Sequence, residues 1–210
     1  MPATRVLAPG PVRLLRPFFR TDPIALARNL LGQRLVRVLN GQRLAGLIVE
    51  TEAYLGIPDR AAHTYNGRRT PRNASMWCDG GTAYVYFTYG MHFCLNVVAG
   101  QVDNPVAVLI RALEPIEGLA DMRLRRAKAR RDHDLCSGPA KLCQALAIDR
   151  ALDGMDLTAS NVLFIERARR KPLTPGEITR GPRIGVAYAG PWAAKPLRFC
   201  LRGNEHVSKK

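Results

Sequence analysis

The clearest pattern along the chain is a series of short segments in which apolar residues alternate with polar ones. Arg34–Leu39 is the first, and its period of two predicts a strand. Asn40-Gly41 follows, the two-residue signal for a tight hairpin. It predicts a returning strand from Arg43 to about Tyr54, centred on Leu47, Ile48 and Val49. A second hairpin is predicted between Thr82 and Val98, where residues 83–87 and 93–98 are rich in aromatic and branched side chains. Gly90 is the residue best able to turn that hairpin, which leaves Tyr89 projecting near its tip. Residues 105–112 read as a buried strand, and later strands are expected near 162–165, 184–188 and 197–201. Helical signals are fewer. Asp22-Pro23 places an N-cap before a first-turn proline, predicting a helix to about Leu31 with Gly32 as its stop. Ile116, Leu119 and Met122 recur at helical spacing, and Ser137-Gly138-Pro139 opens a helix with Leu142, Ala145 and Leu146 on one face. Long hairpins with helices that do not strictly alternate predict an α+β fold over a doubly wound sheet.

Length and composition narrow this further. The chain has 210 residues, 47% hydrophobic and 23% charged, which points to one globular domain and excludes disorder, collagen and coiled coil as its main theme. The longest apolar run, residues 105–110, falls far below the ~20 residues that a membrane helix needs. Charge is the unusual quantity: 32 basic against 17 acidic residues leave a net +15. Such an excess suits a polyanion such as nucleic acid; solubility is the bland alternative, and no basic amphipathic helix argues for a membrane surface. Five cysteines, an odd number without a CxxC, argue against a disulfide framework or a four-thiolate zinc site and for reduced thiols. Residues 1–20 carry four arginines and no acid, but Pro2, Pro9, Pro11 and Pro17 break any amphipathic helix there. They read as a basic arm that lies along the domain or contacts DNA, ahead of a single domain over 21–205.

Candidate chemistry starts at the end of the first hairpin. Glu50, Glu52 and Tyr54 share one face of a strand, beside Ile48 and Val49. Burying carboxylates there is costly unless they are paired or used, and one beside an aromatic ring suits a general base; the ordinary alternative is a water-facing edge. Arg68, Arg69 and Arg72 crowd a Gly/Pro/Asn-bearing loop that reads as a phosphate grip. His63 before it is either a structural histidine or a stacking ring. Among the aromatics Tyr84, Tyr86, Phe87, Tyr89 and Phe93, the two phenylalanines are expected in the core, whereas a tip tyrosine suits a wedge into a base stack. Asn96, amid apolar neighbours, needs a hydrogen-bond partner. The run 123–131 holds six basic residues, a solvated helix face or a second phosphate contact. No deaminase HxE/PCxxC signature and no HExxH occur, and acids are too few for a metal-dependent nuclease.

Seven blocks then carry a resemblance. They are Val49-Glu50-Thr51-Glu52-Ala53-Tyr54-Leu55-Gly56, Ala61-Ala62-His63, Arg68-Arg69-Thr70-Pro71-Arg72-Asn73, Tyr84-Val85-Tyr86-Phe87-Thr88-Tyr89-Gly90-Met91, Arg111-Ala112-Leu113-Glu114-Pro115, Cys136-Ser137-Gly138-Pro139 with Lys141-Leu142-Cys143, and Lys195-Pro196-Leu197-Arg198-Phe199. In order, from about residue 20 to 200, they resemble the alkyladenine (3-methyladenine) DNA glycosylase family. The resemblance implies a single α+β domain with a curved antiparallel sheet, flanking helices and a protruding β-hairpin that inserts into DNA. It implies a monofunctional enzyme that flips an alkylated or deaminated purine from double-stranded DNA and hydrolyses its N-glycosidic bond, starting base excision repair. Glu52 would be the general base and Arg111 its water-positioning neighbour. Tyr54, His63, Tyr86 and Met91 would bind the flipped base, with Asn96 discriminating against the guanine amino group. Tyr89 would fill the gap in the duplex, and Arg68, Arg72 and Lys141 would hold DNA. No metal or cofactor, no membrane and a monomeric protein are implied, cytoplasmic and nucleoid-associated if bacterial, nuclear if eukaryotic; the lack of a long leading extension suits a compact bacterial member. His92 and Tyr65-Asn66 depart from the family's usual residues. A lesion reader without catalysis and an RNA-binding basic domain are the competing readings.

Overall fold

The computed structural model describes residues 12–208. Nine strands form one sheet: β1 (Val12–Arg13), β2 (Arg34–Leu39), β3 (Gln42–Tyr54), β4 (Ala83–Thr88), β5 (His92–Ala99), β6 (Val106–Glu117), β7 (Leu163–Arg167), β8 (Ile178–Gly181) and β9 (Arg198–Leu201). Five helices accompany it: α1 (Arg16–Phe19), α2 (Pro23–Leu30), α3 (Leu119–Arg125), α4 (His133–Cys136) and α5 (Pro139–Ala145). The strand order is β1-β7-β2-β3-β6-β5-β4, with β8 and β9 added beside β3, and every pairing among the described residues is antiparallel. This is the expected α+β architecture.

Local chemistry explains much of it. The Asp22 carboxylate accepts from the Ile24 and Ala25 amides, capping α2 at Pro23. Asn40 and Gly41 both adopt positive φ, 50° and 76°, the turn that lets Leu39 pair with Gln42. The thirteen-residue β3 is the spine: its first half pairs with β2, its second half with β9, and its other edge with β6. The β3–β6 register skips Val49 on one strand and Arg111 on the other, so two bulges flank Glu50. One large apolar core, including Leu26, Leu30, Ile48, Leu95, Ile110, Leu142 and Phe199, joins the helices to the sheet.

Several expectations need correction. Of the arm expected over 1–20, residues 1–11 lie outside the described residues, and residues 12–20 are no arm: Val12 and Arg13 pair with β7, and Phe19 is buried in the core. At the other end the domain continues past 205, because Ser208 bonds Glu50. Ile116 belongs to β6, not to a helix; Gly118, in the left-handed conformation, ends the strand and starts α3. Residues 184–188 form no strand. Gly185 has φ +80°, a 3-10 turn follows over Ala187–Trp192, and the Ile184 amide is spent on a side chain. Phe87 is 41% exposed, its ring tilted against Phe93 at the outer end of the hairpin instead of in the core. In the basic run, Arg123 grips Asp132, Arg125 faces Asp121 and Arg131 faces Asp134, so part of that charge is internally neutralised. All five cysteines are free, and four are buried.

Candidate active site

A cavity of about 350 Å³ opens between the β4–β5 hairpin, the turn at Ala61–His63 and the loop carrying Ile184 and Tyr188. Small-molecule sites run from about 300 to 1,000 Å³, so it suits one compact ring system. Aromatic side chains dominate its walls. His63 meets the Tyr86 ring edge-on at 4.6 Å, and Tyr84 and Tyr86 lie 5.3 Å apart. His63 Nδ1 sits 2.7 Å from the Tyr84 hydroxyl. Burial, then the nearby Arg72 and Arg68, push the His63 imidazole down to about 4, so the ring is neutral at physiological pH. Asn96, buried on β5, lines the cavity and donates from Nδ2 to the Tyr84 carbonyl at 3.2 Å.

Glu52 is fully buried behind one wall. Three cavity-lining residues touch its carboxylate: the Ile184 amide donates to Oε1 at 2.7 Å, the Tyr54 hydroxyl to Oε2 at 2.9 Å, and Arg111 Nη1 lies 3.3 Å from Oε1. Arg111 reaches it because the β6 bulge turns the residue out of the ladder, and its Nε also donates to Glu50 at 3.1 Å. Glu50 is held in turn by Arg198 Nε at 2.7 Å and by the Ser208 amide and hydroxyl at 2.7 and 3.0 Å. Two carboxylates and two guanidiniums thus balance beneath the cavity. Burial pushes the Glu52 carboxyl up from its usual range; Arg111, the Ile184 amide and Tyr54 pull against this, and Glu50 adds to it. A buried carboxyl with raised proton affinity and a fixed orientation is suited to accept a proton.

The structure therefore gathers Glu52, Tyr54, His63, Tyr86, Asn96 and Arg111 at one cavity. Tyr89 stands on its lip, 81% exposed at the hairpin tip with φ +51°. Met91, expected among the base-binding residues, is 69% exposed at the same tip and does not join the cavity walls, because the turn at Tyr89-Gly90 carries it outward. Arg68 and Arg72 line an adjoining cleft of about 300 Å³ with Arg60, Tyr65 and Tyr188. Arg72 donates to the Phe87 carbonyl at 3.1 Å, tying that loop to the hairpin, while Arg69 turns away to Asp103. Lys141 lies on α5, whose first residue, Pro139, reaches the cavity; its Nζ is 3.2 Å from Ser137 Oγ. Sequence reasoning gave no role to the Tyr84 hydroxyl, the Ile184 amide, Tyr188 or the buried pair Asp59–Arg183. A backbone amide and an ion pair 124 residues apart leave no local signal. Among the described residues, no group of three or more His, Cys, Asp or Glu side chains is placed to hold a metal ion.

Comparison with known proteins identifies the family. The family model described as methylpurine-DNA glycosylase matches residues 17–205. The protein named DNA-3-methyladenine glycosylase of Homo sapiens is 51% identical over 205 residues, covering 93% of this chain and 68% of that protein. Its Mus musculus counterpart is 48% identical, covering 93% of this chain and 61% of its own length. A putative 3-methyladenine DNA glycosylase of Clostridium acetobutylicum is 44% identical over 204 residues, 94% of this chain and 98% of that protein. With residues 17–205 matched by the family model and relatives this similar, the chain belongs to the methylpurine-DNA glycosylase family.

Proposed function

We propose that this protein is a monofunctional DNA glycosylase that removes alkylated or deaminated purines and begins base excision repair. The observation that carries the reading is Glu52: a fully buried carboxylate oriented by three donors just behind an aromatic cavity sized for one flipped base. A flipped purine, cationic when alkylated, stacks against Tyr54, His63 and Tyr86, whose electron-rich faces favour it. Neutral His63 adds no competing positive charge. Water then attacks C1′ of the sugar as the C1′–N bond breaks. The bonding pair leaves with the base, the proton of the water passes to Glu52, and an abasic sugar remains. The Glu52 charge also offsets the positive charge that develops on the sugar. Arg111 holds Glu52 in place and positions the water, and Asn96, on the cavity wall, disfavours a purine bearing an amino group there.

Tyr89 fills the gap in the duplex, and Arg68, Arg72 and Lys141 take phosphates. The partner is double-stranded DNA with a damaged purine, and the protein acts as a monomer, in the cytoplasm on the nucleoid in a bacterium or in the nucleus of a eukaryote. No helix among the described residues is long and apolar enough to cross a membrane. The test is release of free base from methylated duplex DNA in EDTA. The wild type is expected to retain full activity, and Glu52→Gln to lose it while binding lesion DNA within a few-fold, since the amide keeps the shape but takes no proton. Substantial turnover by Glu52→Gln, or activity that requires an added divalent ion, would contradict the reading.

A further inference from the structure

Asp59 and Arg183 are both fully buried and meet in a two-pronged ion pair, Nη1 to Oδ2 at 2.5 Å and Nη2 to Oδ1 at 2.8 Å. Removing two charges from water is expensive, and such pairs can often be replaced by apolar residues without loss of stability, so the pair asks for a reason other than holding the fold. Its neighbours supply one. Asp59 also accepts the Leu55 and Ala61 amides at 3.0 Å each, fixing the turn that brings Ala61, Ala62 and His63 to the cavity. Arg183 Nη1 donates to the Ala53 carbonyl at 2.9 Å, and the guanidinium lies 4.6 Å over the Tyr54 ring. The next peptide is the one whose N–H, on Ile184, donates to Glu52.

We propose that Asp59–Arg183 is a positioning pair for the base, holding the Tyr54 hydroxyl and the Ile184 N–H against the Glu52 carboxylate. Neither member reaches the reacting atoms; the pair acts through two of the three donors on Glu52 and leaves the third, Arg111, to the β6 bulge. The inference rests on the reading of Glu52 as the base. The groups facing Glu52 are Glu50 and Tyr54 on β3, Arg111 on β6, Arg198 opposite it on β9, Tyr86 and Cys94 on the β4–β5 hairpin, and Arg183. The Ile184 and Tyr54 donors both favour the charged carboxylate, so loosening them raises its proton affinity. The acid limb of the rate profile then moves to higher pH.

The experiment measures single-turnover base release against pH, together with duplex affinity and melting temperature, for Arg183→Lys and Asp59→Asn. The expected result is release slowed by about tenfold or more at neutral pH, an acid limb displaced upward by about half a unit or more, and lesion-DNA affinity within a few-fold. A lower melting temperature with the rate and acid limb of the folded protein unchanged would make the pair merely structural and overturn the proposal. Should both variants fail to fold, an amide-to-ester replacement at Ile184 deletes the N–H while keeping the pair. It should reproduce the displaced limb, and an unmoved limb overturns the proposal. Glu52→Gln, run alongside, separates the two readings: if it is inactive while the ester is unaffected, only the positioning role falls.

Discussion

Replacing Tyr89 should separate folding from base flipping. The residue sits at the hairpin tip, 81% exposed, with φ +51° beside Gly90 at φ +67°. A tyrosine held in the left-handed region costs about 1 kcal/mol, a penalty that asparagine largely escapes. So exposed a ring has little packing to lose. Tyr89→Asn should therefore leave the fold unchanged or more stable by up to about 1 kcal/mol, raising the melting temperature by no more than about 2–4 °C for a chain of this size. On DNA the balance reverses. Stacking of an inserted ring is worth about 1–3 kcal/mol. At about 1.4 kcal/mol per factor of ten, its loss weakens the flipping equilibrium by about 5- to 150-fold. A duplex bearing ethenoadenine, whose fluorescence is quenched in the base stack, reports the extrahelical fraction, and calorimetry of the free protein reports the fold. If Tyr89→Asn flips that base as fully as the wild type, the wedge lies elsewhere, and Met91 at the same tip is the next candidate. If the variant melts several degrees lower, Tyr89 is a packing residue and the reasoning fails.

Further tests are independent of this one. His63 has a folded pKa lowered from 6.5 to about 4, so the unfolded chain takes the proton first and native stability is lost as pH falls through that window. His63→Gln should shrink the fall in urea midpoint between about pH 7 and pH 5, and an undiminished fall would show that the imidazole is not buried neutral. Arg72→Ala should weaken damaged and undamaged duplexes alike, and flatten the log–log salt dependence by about 0.9 for the one phosphate that the shortened side chain no longer neutralises. Selective loss of lesion binding would instead place Arg72 in base recognition.

The elements legible from the residues alone are those settled by neighbours in the chain. Asp22-Pro23 caps its own helix through amides two and three residues on, and Asn40-Gly41 sets a hairpin whose register follows from its turn. The alternation of β2, the aromatic hairpin and the carboxylates at Glu50 and Glu52 were readable because strand period and hydropathy are local properties. Whether that acidic face met water or the interior was not readable: it depends on Arg111, Arg198 and Ser208, which approach Glu50 from 61, 148 and 158 residues away. The bulges at Val49 and Arg111 belong to a pairing of two strands, and neither strand announces one. The same holds for residues 184–188, apolar enough for a strand, whose first amide was claimed by Glu52. Met91 and Phe87 fit a core by type, yet the turn beside them points outward, and only the placement of the hairpin over the sheet decides that. Local hydrogen-bond and turn rules thus settled the elements. The cavity, its buried charges and their partners were decided by contacts between distant segments, where desolvation leaves each carboxylate stable only beside a specific donor.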